Sequence, residues 1–577
     1  MILAPLAFAT SGFDASTPAE TFTGQETYTR DGATQLWSAV ERLEDPDRTL
    51  FAAGQYNGVT AWQDTDYSPW IATCFGTSEP HTSAALLHVG LYEAYSSGTP
   101  ILFVPGAGDN GSRGFITMAR HMELEGRPVY AVTFAHSHGD VLEQAEIVAD
   151  AIARVKARTG AAQVDVVSHS KGGIATAVYL SNADGAEWGD DAYELVGTRY
   201  RGDVRKAVFV ATPLSGIDTA FRWPLANLWS LDWDSALSPT SWGAYWPYGT
   251  SSWAYSVDLA AQDFLPDDGD LFPGHRQLLE RHPEHDLPGE MPWLGAYSVQ
   301  PDWYTTYEGG LGYWSMSGGI DEAIEAGGGL LARLQANGVD PAVQIYLLAG
   351  ENPIMPNGTD QFLTEYFGEQ WSEMAEQNAD AWGELVADAI SHGTAPDGVT
   401  DEEVAGLAGG DLVLGEVSGA SDGLVFVTSA TAGDRLGARG AVVVDTYVAN
   451  LSHLDLLYAS PITGELLIEA ADADPEGSGW MRAFGERYTE ADTIGWVDAA
   501  LADPDDGGDD TGDPPGDDTG EPPGDDSGDP ADTDEDGGQD FGDGGWGEGC
   551  KGCDAGGVGG AWLATLIAGA VARRRGR

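Results

Sequence analysis

Val164-Asp-Val-Val-Ser168-His169-Ser170-Lys171-Gly172-Gly173, followed by Ile174-Ala-Thr-Ala-Val-Tyr-Leu180, is the stretch whose reading decides the fold. Val164 to Val167 suits a short buried strand, and Ile174 to Leu180 suits a helix. A serine on a tight strand-to-helix turn points its hydroxyl out of the sheet, and small neighbours let the backbone turn that sharply. Ser170 has Gly172 and Gly173 after it, while Ser168 stands where a first glycine is usual.

Outward from this turn, short apolar strands alternate with helical stretches, which predicts an α/β fold with a mostly parallel sheet. Strands are expected at Pro100 to Val104, Pro128 to Phe134, Val164 to Val167, Val204 to Ala211, Val343 to Leu348 and Ala441 to Val448. Ile147, Val148, Ala151, Ile152 and Val155 recur with helical period before Gly160, so a crossover helix should precede the serine strand.

A lone serine-rich turn is more often structural than catalytic, but partners stand in the chain order Ser, acid, His that this architecture uses. The acid candidate is Asp422 in Ser421-Asp-Gly-Leu-Val425, and the base candidate is His453 in Leu451-Ser-His-Leu-Asp-Leu-Leu-Tyr458. Asp360, close behind the strand at Val343, is a competing acid. Together with Val129-Tyr-Ala-Val132, Thr159-Gly160 and Thr212-Pro213, these residues resemble a secreted bacterial lipase of class 2, within the α/β-hydrolase fold. The resemblance runs over roughly residues 98–215 and 341–462. It implies Ser170 as nucleophile, His453 as general base and acid, and Asp422 as the group that orients the imidazole. It further implies an oxyanion hole made by the backbone N–H groups of Ala107, in Pro105-Gly-Ala-Gly108, and Lys171. Lys171 and Pro105 stand where the family usually has Met and His; the Lys171 side chain reads either as positive potential beside the developing oxyanion or, the favoured reading, as a partner for one of the many acids.

Other readings of the same residues fare worse. Gly106-x-Gly108-x-x-Gly111 fits a dinucleotide fingerprint, but that motif wants an acid at the end of the next strand, where Val132-Thr-Phe-Ala-His136 has none. His275, His282 and His285 with Asp286 offer metal-ligand chemistry; lying in a Pro-rich polar stretch, they read instead as solvated loop histidines.

The divisions expected along the chain are an apolar export-signal remnant (1–20), an N-terminal extension (21–97), and the first half of the hydrolase core (98–212). A Trp-rich insertion (213–342) and the second core half (343–502), itself interrupted by a helical insertion (359–413), follow. The Trp-rich insertion holds nine of the 19 tryptophans. It reads equally as a buried subdomain core or as a cap over Ser170, with Trp223, Trp229, Trp233, Trp242 and Trp246 as substrate-binding candidates.

Residues 503–549 form an acidic low-complexity stalk, with an eight-residue unit starting at Gly508, Gly516 and Gly524, too poor in apolar residues to offset ordering entropy. Asp532, Asp534, Asp536, Asp540 and Asp543 have the spacing of a calcium loop and resemble a thrombospondin type 3 repeat; chance in an Asp-rich stalk is the competing reading. Residues 550–577 carry Cys550 and Cys553, an apolar run from Val558 to Ala572 and Arg573-Arg-Arg575, and resemble the MYXO-CTERM class of surface-sorting tails. That resemblance implies processing by sorting machinery and display on the outer cell surface, or secretion.

The net charge is −65, with 92 acidic against 27 basic residues. The stalk contributes −19 and the tail +4, which leaves −50 on residues 1–502. With only four lysines, binding to nucleic acid is excluded, because a polyanion needs Lys/Arg surfaces to release counterions. The excess reads as a hydrated acidic surface suited to a saline exterior. The expected activity is hydrolysis of carboxylic esters, lipid esters first, without a required cofactor and with calcium at most a structural ion. A polyester depolymerase using the same triad, and a catalytically silent surface adhesin on the same fold, are the alternatives. Oligomeric state is left open by the sequence.

Overall fold

The computed structural model describes residues 16–23, 37–45, 73–77, 80, 82–107, 109–111, 114–137, 139–183, 198–218, 273–282, 310–311, 316–317, 320–355, 412–413, 419–473 and 479–502. The five tryptophan candidates, Asp360, the stalk aspartates and the C-terminal tail lie outside these residues.

Within them, one sheet has nine strands: β1 (Glu20–Phe22), β2 (Trp37–Leu43), β3 (Ala85–Gly90), β4 (Ile101–Val104), β5 (Val129–Phe134), β6 (Val164–His169), β7 (Val204–Val210), β10 (Gln344–Gly350) and β13 (Val443–Ala449). Two short antiparallel pairs, β8 (Gly310–Leu311) with β9 (Met316–Ser317) and β11 (Ile354–Met355) with β12 (Leu412–Val413), stand apart from it. The sheet order is β1-β2-β3-β5-β4-β6-β7-β10-β13. From β5 to β13 every pairing is parallel, and β1 to β3 join antiparallel at one side. A mostly parallel sheet in this order, with the serine turn directly after β6 in the interior of its parallel part, is the α/β-hydrolase fold.

The six strands expected from sequence are present with ends shifted by no more than about two residues; β1, β2 and β3 were not anticipated. Charged residues hide the β2 signal: Glu41 is buried, yet it accepts from Arg154 Nε at 2.6 Å and Arg158 Nη1 at 2.6 Å. Pairing offsets the desolvation cost that would otherwise keep a carboxylate out of the core, and the buried charge spoils the hydrophobic pattern.

Helices cover both faces of the sheet, and strand alternation sorts the core. Along β4, Ile101 and Phe103 belong to one apolar cluster, while Leu102 and Val104 belong to the other. The first cluster takes Met118 and Met122 from α1 (Ile116–Leu124). The second takes Ile147, Val148 and Ile152 from α2 (Val141–Thr159), and Ile174 and Val178 from α3 (Lys171–Ser181). Asp140 caps α2 by accepting from Leu142 N at 2.8 Å and Glu143 N at 3.1 Å, and Gly160, at φ 74°, ends it in the left-handed conformation few other residues adopt.

Further along lie α4 (Pro273–Arg276), α5 (Ile320–Ala326), α6 (Leu330–Asn337), α7 (Val427–Ala430), α8 (Pro461–Ala473), α9 (Gly479–Thr489) and α10 (Thr493–Leu501). The end of α10 is fastened below the sheet: Arg205 donates to Leu501 O at 2.9 Å and Lys206 Nζ to Ala500 O at 2.8 Å, cations meeting the negative end of a helix. Arg127 and Arg205 both reach the buried Asp165 of β6, so the N-terminal edge of the sheet is a clamp and the C-terminal edge is left for chemistry.

Buried histidines set a pH dependence of stability. Desolvation holds His88, which bonds Thr133 Oγ1 at 2.8 Å, down to about 3. The unfolded chain protonates this group near its ordinary 6.5, so it takes up the proton first, and stability falls as pH drops from about 6.5 towards 3. His88→Gln, which keeps a polar side chain able to bond Thr133 but does not titrate, should therefore lose less stability than wild type over that window in urea unfolding at a pH series. Equal losses would contradict this.

Candidate active site

The site is built where β6 passes into α3. Ser170 adopts φ 51° and ψ −128°, a strained conformation for a residue with a Cβ. The strain is held in place by its neighbours. Ser170 N donates to Val210 O at 2.8 Å, and Gly173 N donates to Ser170 O at 2.9 Å. A Cβ at position 172 would stand 2.3 Å from Pro105 O, and one at 173 would stand 1.9 Å from Thr212 Oγ1, so the two glycines are what let the turn close. Ser168 replaces the usual first glycine without penalty: it is fully buried and donates its hydroxyl to Val208 O at 3.4 Å. Ser170 is half-buried, so its hydroxyl side remains approachable.

Two loops beyond the parallel strands carry the other candidates. Asp422, fully buried, lies in a turn pinned by the Ser421–Phe426 bridge. Its Oδ1 accepts from Leu424 N at 3.0 Å and Val425 N at 2.8 Å, and its Oδ2 lies 2.8 Å from His453 Nδ1. The backbone repeats the link, since His453 N donates to Asp422 O at 2.9 Å. A carboxylate at Nδ1 fixes the tautomer with hydrogen on Nδ1 and leaves Nε2 bare, able to accept a proton. His453 in turn meets the serine turn through His169: the two rings are 4.6 Å apart, and His169 Nε2 lies 3.1 Å from His453 O. The nucleophile, acid and base candidates are thus brought to one neighbourhood.

The loop after His453 has a second hold. Asp455 accepts from Ser452 Oγ at 2.8 Å, Tyr488 OH at 2.9 Å and Arg487 Nη1 at 3.2 Å. This buried clamp to α9 was not visible in the sequence, because Arg487 and Tyr488 lie more than 30 positions away.

Of the expected oxyanion donors, Lys171 is the first residue of α3, whose N–H has no intrahelical acceptor and sits at the positive end of the helix dipole. Ala107 is half-buried in the loop after β4, against the turn: a Cβ on the adjacent Gly106 would be 2.9 Å from Ser170 Cβ. The Lys171 side chain departs from expectation. Instead of pairing with an acid it is buried and donates to Gln144 Oε1 of α2. Burial lowers it to about 7, although the Asp140 charge opposes that shift.

Part of the expected insertion also packs here. A Cβ at Gly274 would be 2.2 Å from Lys171 Cε, and Gln277 both accepts from Val141 N at 2.8 Å and donates to Asp140 at 2.6 Å. His275 and His282 are correspondingly not solvated loop histidines but buried ones. Desolvation, with the charges of Lys171 and His136, brings His275 to about 3, and His282 Nε2 lies 3.1 Å from Gly216 O. His282 packs against the Phe426 ring at 5.1 Å, and Lys171 and His136 stand near His275, all distant in sequence, so the polar local context misleads. His285 and Asp286 lie outside the described residues. Among the described residues no group of three or more His, Cys, Asp or Glu side chains is arranged to hold a metal ion, and no helix is long and apolar enough to cross a membrane.

Residues 98–219 match the family model Lipase (class 2). This segment contains β4 to β7, the serine turn and the Ala107 loop. No curated protein sequence matches the chain. Among solved structures, the mature form of a Bacillus licheniformis lipase is 12% identical with a TM-score of 0.31, covering 67% of this chain and 96% of that one. A highly thermostable carboxyl esterase from Bacillus coagulans is also 12% identical, with a TM-score of 0.23 and coverage of 46% and 76%. The fold assignment rests on strand order, not on these distant likenesses. The lipase segment on an α/β-hydrolase sheet makes the protein a carboxylic ester hydrolase.

Proposed function

We propose that the protein is a serine hydrolase that cleaves lipid esters through an acyl-enzyme, with Ser170, His453 and Asp422 as its triad. The observation that supports this most is the 2.8 Å contact between His453 Nδ1 and Asp422 Oδ2, in a loop bonded to the residue preceding a strained serine. Ser170 Oγ attacks the ester carbonyl while His453 Nε2 takes its proton, and Asp422 stabilises the resulting imidazolium. The carbonyl oxygen becomes an oxyanion facing the N–H groups of Lys171 and Ala107. Collapse expels the alcohol with the proton from His453. Water, activated by the same nitrogen, then releases the acid and frees Ser170.

The cycle needs no cofactor. The acid excess and the sorting-tail resemblance support secretion or display on the outer cell surface, where an ester substrate too large to enter the cell would be met. Lipid is preferred over polyester as substrate because the matched family is a lipase family. Hydrolysis of short and long p-nitrophenyl esters, an emulsified triglyceride and a polyester film by the full chain tests the proposal. Turnover of the long-chain ester and the triglyceride is expected. Release of acid from the film with none from triglyceride would replace lipid by polymer, and no turnover of any ester would leave the adhesin alternative.

A further inference from the structure

His169 is buried beside the site and has no part in the cycle above. We infer that His169 is a positioning residue that fastens the His453 loop to the serine turn through an Nε2–H···O=C bond; this rests on the triad reading.

His169 Nε2 is 3.1 Å from His453 O. A carbonyl oxygen only accepts, so Nε2 carries the hydrogen and Nδ1 is bare. His453 is thereby held by both of its peptide groups, N–H to Asp422 O at 2.9 Å and C=O to His169 Nε2, while Asp422 Oδ2 fixes the ring itself. Without the His169 bond the His453 carbonyl would lose its tie to the serine turn, leaving the Asp422 turn and the Asp455 clamp to hold the loop. The bare Nδ1 is buried without a hydrogen-bond partner and faces the oxyanion loop, since a Cβ on Gly106 would stand 3.2 Å from it. The ring therefore fills the space between the loop that brings the base and the loop that brings Ala107, and the absence of a side chain at Gly106 admits it.

Neutrality suits this place. Burial, and the charge of His453 when protonated, keep His169 well below the ordinary histidine range. A charged ring here would repel the imidazolium that forms on His453 in each half of the cycle, and would turn Nδ1 into a buried donor without an acceptor.

Glutamine places its Nε2 where the histidine Nε2 stands and can donate the same bond, whereas leucine fills the volume without donating. In the full chain, His169→Leu should lower kcat on a p-nitrophenyl ester by about 10- to 100-fold, the scale of a displacement on the order of 1 Å at a reacting group, with KM within about twofold. His169→Gln should restore kcat to within about fivefold of wild type, on the reasoning that geometry rather than ring chemistry is at issue. A leucine variant with wild-type kcat would overturn the inference. So would a glutamine variant whose kcat is as low as that of leucine while it melts like wild type. If leucine prevents folding, the glutamine variant alone decides, recovery supporting the inference and loss of kcat overturning it. Ser170→Ala, assayed alongside, separates the two levels: wild-type turnover by that variant removes the triad reading, while its inactivity together with an unimpaired His169→Leu removes only the role of His169.

Discussion

Ser170→Ala lowers kcat/KM for a p-nitrophenyl ester by about 10⁴-fold or more, with the melting temperature unchanged. The size of the loss follows from what is removed. Alanine keeps the Cβ, so the φ 51° conformation is no more strained than before, and the bond from the residue 170 N–H to Val210 O survives. The turn, α3 and the Lys171 N–H stay in place, and only Oγ is gone. Residual rate would come from the oxyanion donors and from binding, which in such sites still exceed water alone. Initial rates at saturating and limiting ester check it, and a variant within tenfold of wild type would mean that another group carries the attack.

Asp422→Asn lowers kcat by about 10⁴-fold at neutral pH, for a reason specific to this turn. Leu424 N and Val425 N both donate to Oδ1, so an asparagine must keep its carbonyl there and turn its NH₂ towards His453. A donor facing Nδ1 drives the imidazole proton to Nε2, and the nitrogen that should accept from Ser170 then carries a hydrogen. The loss should appear in kcat with KM little changed, because the carboxylate never touches the substrate. A small effect would show that the tautomer is set by another group.

Much of this site is legible in sequence because its signals are local. The serine turn announces itself in ten consecutive residues, and both glycines after Ser170 have direct steric reasons, Pro105 O and Thr212. Asp422 and His453 are found by chain order and by their neighbours, although the 2.8 Å contact between them could only be inferred. What escaped depends on distant partners. His169 and His453 are 284 positions apart, and nothing near His169 distinguishes a positioning ring from a filler at the turn. Asp455 gives no local sign of its clamp, because Arg487 and Tyr488 reach it from more than 30 positions away. Lys171 looked like half of an ion pair but takes the neutral Gln144. The antiparallel strands were missed for a similar reason, since Glu41 reads as surface until Arg154 and Arg158 neutralise it. Burial of a charge is a property of pairs, and sequence patterns report single residues.

The account turns on Ser170 as the atom that becomes acylated, and a p-nitrophenyl alkylphosphonate reports this directly. Its phosphorus takes the place of the ester carbonyl carbon, p-nitrophenolate leaves, and the adduct is stable enough for peptide mass mapping. The account predicts one phosphonyl group per chain, on the peptide bearing Ser170, with none on the Ser170→Ala protein. Labelling of Ser168 or of any residue outside the turn, or undiminished labelling of the Ser170→Ala variant, would contradict it.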